Sequence, residues 1–341
     1  MAAGGIEMSS GCHSNRVLAL VFLCLLAPGA AAAESWRDGS PMTTGRAFAG
    51  GALVGNELYV IGGDSTSGPR NVAEIYDMRG DIWRASPGLP VGLQQFGIAE
   101  LNGKLYVSGG YEAPQAGRPE FGAFGEILPP TTEGGDTAQT WIYDPQIGTW
   151  VNGPQLPAAR AGHGAAVVDG KIYTLGGRGS DAQRVLVYDP GSNRWSATGE
   201  AMPAPRVAAA TVAVGDRIYV IGGLSNGVAT ARVDIFDTAS GRWQSGPQLP
   251  EARSGHVAAL VGGKLHVTGG EQRRPPRTFG DHFILDAEAG SWSRAVPMPN
   301  PRHGAVAAAV DGKFVVVGGS PGAGVYTVFT ESDVVDIYSA D

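Results

Sequence analysis

A chain of 341 residues with 53 glycines, 23 prolines and only 17% charged side chains is not the composition of a helical protein; it points to turn-rich β structure. Hydrophobic residues at 43% supply a full core and exclude wholesale disorder. A formal net charge of -7 argues against generic nucleic-acid binding.

The first element in chain order is a segment over residues 1–33 that differs from everything after it. Arg16 precedes an apolar run from Val17 to Ala27, followed by Pro28, Gly29 and small residues through Ala33. This is the layout of a cleavable secretory signal, with cleavage expected after Ala33 and a periplasmic or secreted destination. The run is short for a membrane span, so no anchor is expected once the signal is removed. Both cysteines, Cys12 and Cys24, fall inside it. The mature chain therefore has no disulfide and depends on packing for its stability.

From residue 34 onward the sequence repeats. Apolar runs ending in a glycine pair occur at Gly63, Gly110, Gly177, Gly223, Gly270 and Gly319, and the first glycines of the pairs are spaced by 47, 67, 46, 47 and 49 residues. Trp36, Trp83, Trp150, Trp195, Trp243 and Trp292 follow with spacings of 47, 67, 45, 48 and 49. Two independent markers thus share one period, the signature of a repeat architecture. Between each pair and the next tryptophan lies an alternating run such as AEIYD ending at Asp77 or VDIFD ending at Asp237, which reads as a strand. Ahead of each pair comes a run rich in Ala, Gly and Val, then a turn such as NGK or DGK suited to a hairpin. Each unit is therefore four strands, and six units fill residues 34–341.

Small residues in the first strand of each unit, as in GHGAAVV from Gly162 or VAAATVAV from Val207, have a steric cause if six sheets converge on one axis. Glycine is otherwise costly in a strand, and its recurrence near Tyr and Trp suggests backbone under an aromatic ring. With the glycine pair, the Tyr-Asp and the Trp each recurring, the chain resembles a kelch-repeat β-propeller. The fold class is all-β, a six-bladed propeller of four-stranded blades. Trp36 precedes every glycine pair, and the last pair is followed by VVDIYSAD without a tryptophan. The last blade is therefore expected to take its outer strand from the N-terminus, around Ser35 to Pro41.

Candidate functional residues concentrate in the loops that enter the inner strands. Ten or eleven residues after five of the six tryptophans the chain places Arg46, Arg160, Arg206, Arg253 and Arg302, while the second blade has Leu93, Gln94 and Gln95 instead. A ring of arginines at the axial mouth makes an anion site, since the guanidinium fork matches carboxylate and phosphate. Bonding to loop carbonyls is the competing structural role. His163 and His256 occupy equivalent positions in RAGHG and RSGHV, and His303 follows Arg302. No carboxylate or cysteine recurs beside them at ligand spacing, so no metal is expected. The stretch from Tyr111 to Thr140 exceeds its counterparts by about 20 residues and is expected to overhang the same face, either as a lid or recognition loop or as a disordered insertion. Loops 271–281 and 320–333 should flank it.

One local stretch adds a second resemblance. GGEQRRPPRTFGDHFILD, from Gly269 to Asp286, is similar to the Gly-Glu and downstream Arg-Thr of the exported N-acetylneuraminate epimerases. That likeness implies Glu271 as the acid/base group and Arg277 as a contact to a substrate carboxylate; an ordinary solvated role for Glu271 stands beside it. The propeller is also similar to that of galactose oxidase, whose copper cofactor needs a tyrosine cross-linked to cysteine. A mature chain without cysteine cannot make it, so no cofactor is expected. The resulting expectation is a binding module whose arginine-rimmed mouth takes a small molecule, such as an anionic sugar, or a protein. The alternative is a mutarotase or epimerase of a carboxylated sugar.

Overall fold

The alternating runs of the sequence become six four-stranded antiparallel sheets in a computed structural model that describes residues 1, 2, 4, 34–113, 120–121, 127–128 and 134–340. The chain divides into two units, Met1–Ala32 and Ala33–Asp341, and the sheets belong to the second. Apart from Met1, Ala2 and Gly4, the expected signal segment lies outside the described residues.

Blade one consists of Gly50–Val54, Glu57–Ile61, Ala73–Asp77 and Ile82–Ser86, hydrogen-bonded in that order. The inner strands of the following blades are Gly97–Leu101, Ala161–Val168, Ala210–Val214, Val257–Val261 and Val306–Val310. Each inner strand packs on the next, and the last packs on the first, so the sheets form a closed ring. The crowding explains the small residues. A Cβ on Gly51 would lie 2.1 Å from Val306 of the last blade, and one on Gly164 would lie 1.9 Å from Thr211 of the next.

The ring closes as the register of the tryptophans implies. Ser35–Gly39 pairs antiparallel with Val335–Ser339, placing Trp36 opposite Tyr338, and completes the sheet made with Lys313–Val317 and Val306–Val310. The same aromatic couple recurs around the ring, as in Tyr76 with Trp83 at 4.8 Å between ring centroids and Tyr143 with Trp150 at 4.9 Å. Several indoles reach back one blade: Trp36 Nε1–H donates to the Val296 carbonyl at 2.8 Å, and Trp83 Nε1–H to that of Ser40 at 2.7 Å. The wedge between diverging blades is thus filled by large rings with a polar tip that finds a partner.

Two sets of main-chain bonds join neighbouring blades. In the first, the second glycine of each pair donates to a carbonyl of the next blade: Gly63 to Leu93, Gly110 to Arg160, Gly177 to Arg206, Gly223 to Arg253, Gly270 to Arg302 and Gly319 to Arg46, all at 2.8–2.9 Å. The first glycine of each pair has a left-handed φ of 57–71°, and a Cβ on it would approach that same carbonyl oxygen to 2.4–2.8 Å. An aromatic ring does cover Gly62, through Phe96. The recurrence of the pair nevertheless has a main-chain cause, a left-handed turn pressed against the next blade.

The second set runs closer to the axis. Gln95 N–H donates to Phe48 O, Gly162 to Gln95, Ala208 to Gly162, Gly255 to Ala208, Gly304 to Gly255 and Phe48 to Gly304, at 2.6–3.1 Å. These six residues, one per blade, all have φ between 54° and 67° and form an unbroken belt of amides.

Candidate functional site

At one end the axis opens into a cavity of about 550 Å³ to which all six blades contribute. The residue after each glycine pair, Asp64, Tyr111, Arg178, Leu224, Glu271 and Ser320, occupies one equivalent position per blade, and Arg178, Leu224 and Glu271 line the cavity. Each pairs antiparallel with a residue on the loop entering its own inner strand, as Asp64 with Ala47, Tyr111 with Gln94, Arg178 with Ala161 and Glu271 with Ser254. The frame repeats six times while these residues differ in every blade, so the mouth is chemically asymmetric. Position, rather than residue type, is the signal that finds them.

The five repeat arginines do not rim this mouth, contrary to the anion-site expectation. Arg46, Arg160, Arg206, Arg253 and Arg302 are at most 2% exposed and lie inside their blades. Arg46 Nη2 donates to Val60 O, Arg206 Nη2 to Val220 O and Arg302 Nη2 to Val316 O, the same carbonyl in three blades. Carboxylates neutralise these three: Glu74 pairs with Arg46 at 2.6 Å, Asp234 with Arg206 at 2.7 Å, and Asp336 with Arg302. Arg160 donates instead to the carbonyls of Arg184 and Asp181. Arg253 stacks between Phe279 and Phe283, at 4.5 and 5.0 Å from the ring centroids. Burial pulls Arg160, Arg206 and Arg253 down to about 10, which leaves them charged at neutral pH. Buried and turned toward their own blades, these guanidinium groups are out of a ligand's reach.

His163 and His256 border the cavity, but their ring nitrogens are sealed. Nε2 of His163 lies against the α-carbon of Gly97, and Cε1 of His256 against that of Gly222. None of the four nitrogens reaches hydrogen-bonding geometry. Desolvation, reinforced by Arg160 and Arg253 respectively and opposed by the backbone at Ser108 and Ile221, pushes both rings down to about 3, so they are neutral. They are packing residues rather than ligand contacts.

Glu271 and Arg277 separate. The strands Glu271–Arg273 and Pro276–Thr278 pair with Gln272 opposite Arg277 and Glu271 opposite Thr278, so alternation puts Glu271 and Arg277 on opposite faces. Arg277 pairs with Glu251 at 3.0 Å and covers the outer face of Phe279 at 4.7 Å, away from the cavity. Glu271 borders the cavity and is 3% exposed. Its Oε1 accepts from Arg273 Nε at 2.9 Å, its Oε2 accepts from the Gly324 amide at 2.7 Å, and His303 Nε2 lies 3.8 Å from Oε2. Arg273, two residues on and on the same face, is the arginine beside Glu271. Glu271 is thus neither solvated nor free.

Across the mouth, Arg178 is held by both oxygens of Asp136, at 2.8 and 3.0 Å, and donates to Gln95 Oε1 at 2.6 Å. Asp136 belongs to the strand Gly135–Asp136, which pairs with Tyr111–Glu112 at the root of the long insertion. Most of that insertion, 114–119, 122–126 and 129–133, lies outside the described residues. Phe48, a bulky residue in a left-handed conformation, lines the cavity with its ring 5.6 Å from His303. Of the two loops expected to flank the mouth, 271–281 lines the cavity through Glu271 and Arg273, whereas Gly324, Val325 and Thr327 of 320–333 line a neighbouring groove.

Comparison with known proteins agrees with this architecture. The profile of the KLHDC2/KLHL20/DRC7 Kelch-repeats domain matches residues 121–319, and that of the Kelch motif matches residues 45–90. The chain belongs to the kelch-repeat family. Among curated relatives of this kelch protein, Kelch-like protein terF of Aspergillus terreus is 28% identical over 245 residues, covering 66% of this chain and 50% of that protein. Kelch-like protein 34 of Homo sapiens is 29% identical over 247 residues, covering 70% and 36%, and alpha-scruin of Limulus polyphemus is 27% identical over 247, covering 67% and 25%. The kelch chain therefore spans half or less of the length of these relatives. The solved structure of YjhT superposes with a TM-score of 0.71 at 19% identity, over 88% of this chain and 96% of that one, a likeness of fold. Kelch-repeat domains typically mediate protein binding.

Proposed function

We propose that this kelch propeller is a binding module that takes a protein segment or a small molecule at its axial mouth. The observation that carries the reading is the cavity of about 550 Å³, walled by every blade and lined by side chains such as Gln95, Arg178, Leu224 and Glu271 that differ while the frame around them repeats. With the repeat arginines buried, an anionic group on a ligand would meet Arg178, Arg273 or Arg274 instead. Calorimetric titration with a panel of neutral and carboxylated sugars and of short acidic peptides tests the reading, comparing wild type with a Gln95→Ala/Arg178→Ala variant. At least one probe should bind and lose affinity in the variant; equal binding by both proteins would reject the mouth. The pattern of residues 1–33 supports export of the module, which N-terminal sequencing of the mature protein checks.

A second reading, proton transfer to and from a carboxylated sugar by Glu271, is supported by the position of that carboxylate on the cavity wall, 3.8 Å from His303. Arg273 would take the part given to Arg277. Polarimetry on sialic and uronic acids decides it: no acceleration by wild type, or unchanged rates in Glu271→Gln, ends the proposal.

A further inference from the structure

The loop after the last glycine pair carries a 3-10 helix, Gly324–Phe329, whose Val325, Tyr326 and Phe329 are 68%, 59% and 70% exposed. Three large apolar side chains on six residues make a patch of the kind that marks interaction sites. The helix is not loose. Its first amide, Gly324, is fixed to Glu271 of blade five, and the carbonyl of Pro321 accepts from Thr278 Oγ1 at 3.1 Å. The Gly322 carbonyl lies 2.8 Å from His303 Nε2, and beyond the helix Glu331 Oε2 accepts from the Thr66 amide of blade one at 2.7 Å. Tethers from blades one, five and six thus hold an apolar knob in water, in one place, beside the mouth.

Beside the knob runs a groove of about 560 Å³ whose lining includes Phe48, Asp64, Glu271, Arg274, Pro276 and Val325. Its charges are not balanced evenly. Arg178 has Asp136, Arg273 has Glu271 and Arg277 has Glu251, but Arg274 meets no carboxylate among the described residues. Glu271 is taken by Arg273 and the Gly324 amide and Asp64 stands on the blade-one side, so the groove offers Val325 at the foot of the knob and, at its blade-five end, one guanidinium without a carboxylate.

Resting on the reading of the mouth as a binding site, we propose that the knob and groove dock an extended segment of another protein in which an aspartate or glutamate stands beside a large apolar side chain. The apolar residue packs on Val325, Tyr326 and Phe329, and the acid meets Arg274. A guanidinium satisfied by an incoming carboxylate gives the segment direction and register, while the rigid aromatic surface supplies affinity.

The test pans a phage-displayed library of linear dodecapeptides against the full chain, then measures selected peptides by fluorescence polarisation. Peptides with an acid next to an aromatic or aliphatic residue should be enriched. Arg274→Glu and the Tyr326→Ser/Phe329→Ser pair should each weaken them about tenfold or more, with melting temperatures unchanged. Arg217→Glu, at the opposite ends of the strands, should leave them unaffected. Selected peptides that survive both knob and Arg274 variants but are lost with Gln95→Ala/Arg178→Ala would overturn this proposal and leave the mouth reading intact. Sedimentation showing that wild type self-associates and the Tyr326→Ser/Phe329→Ser pair does not would name a second copy as the occupant, and overturn it too.

Discussion

The amide of Phe48 donates to the carbonyl of Gly304 across 2.6 Å, joining the first blade to the last. That bond completes a belt in which one residue per blade, always in a left-handed conformation, passes a hydrogen bond to its neighbour. Three members are glycine and three carry side chains, Phe48, Gln95 and Ala208. All six belt residues line the cavity, and the balance between strain and side-chain chemistry on them can be measured.

Gly304→Ala should destabilise the fold by about 2 kcal/mol, because a left-handed Cβ is costly and this one would lie 2.8 Å from the Phe48 ring. Phe48→Gly should change stability by less than about 1 kcal/mol, since relief of the left-handed strain offsets the lost ring contact. Urea denaturation of both variants checks the contrast.

Arg302→Ala should cost about 3–5 kcal/mol, because it leaves the fully buried Asp336 carboxylate with the Asn300 amide and no cation among the described residues. Arg277→Ala should cost under about 1 kcal/mol, since that guanidinium is exposed and its ion pairs are screened. Comparing denaturation midpoints separates the buried repeat arginines from the surface one. Roughly equal losses would contradict the placement of Arg277 at the outside of its stack.

Deleting residues 34–40 removes the outer strand of the closing sheet together with Trp36. The variant should melt well below wild type and aggregate through the bared edge of Val335–Ser339, which thermal unfolding followed by light scattering would detect. Trp36→Ala alone should cost about 3 kcal/mol, as the indole packs on His282, Phe314 and Tyr338.

Acid should loosen the same seam. His266 Nδ1 lies 3.0 Å from His282 Nε2, and His282 Nδ1 lies 3.2 Å from the Val296 carbonyl that also accepts the Trp36 indole. Desolvation lowers both rings to about 4; His282 further lowers His266, and Glu34 and Lys264 act on it in opposite directions. A folded-state value below the unfolded one means that the unfolded chain binds more protons. The stability is therefore present above about pH 6.5 and is lost as pH falls towards 4, at up to about 1.4 kcal/mol per pH unit for each ring. A His266→Tyr/His282→Val variant, using residue types that other blades carry there, should melt with a shallower pH dependence over that window. An unchanged slope would remove the pair from the acid response.

The repeat, the four strands of each blade and the N-terminal closure were legible because glycine pairs and tryptophans are bound to the frame by main-chain geometry and ring packing. The site was only half legible. An arginine in a loop reads as solvent-facing, yet here its carbonyl is taken by the preceding blade's glycine amide and its side chain turns back beneath its own strand. The pairing was visible in hindsight from Glu74, Asp234 and Asp336, acids at one otherwise buried strand position in blades that carry the arginine; the second blade has Trp141 there and no arginine. Glu271 stood out through the resemblance of its stretch to the epimerases; its place directly after a glycine pair, which Arg178 shares, is the structural signal that was not used. The tethering of Gly324 to Glu271 joins residues 53 apart and has no local signature.

Both rings of inter-blade bonds are made by peptide groups, so the closure of the propeller limits the size of side chains on the inner strands but not the polar chemistry of those at the mouth. Mutation can exchange those groups one blade at a time, altering what is recognised without reopening the circle. A scaffold of this kind separates holding its shape from choosing its partner, and its relatives can drift far apart in sequence while keeping the same outline.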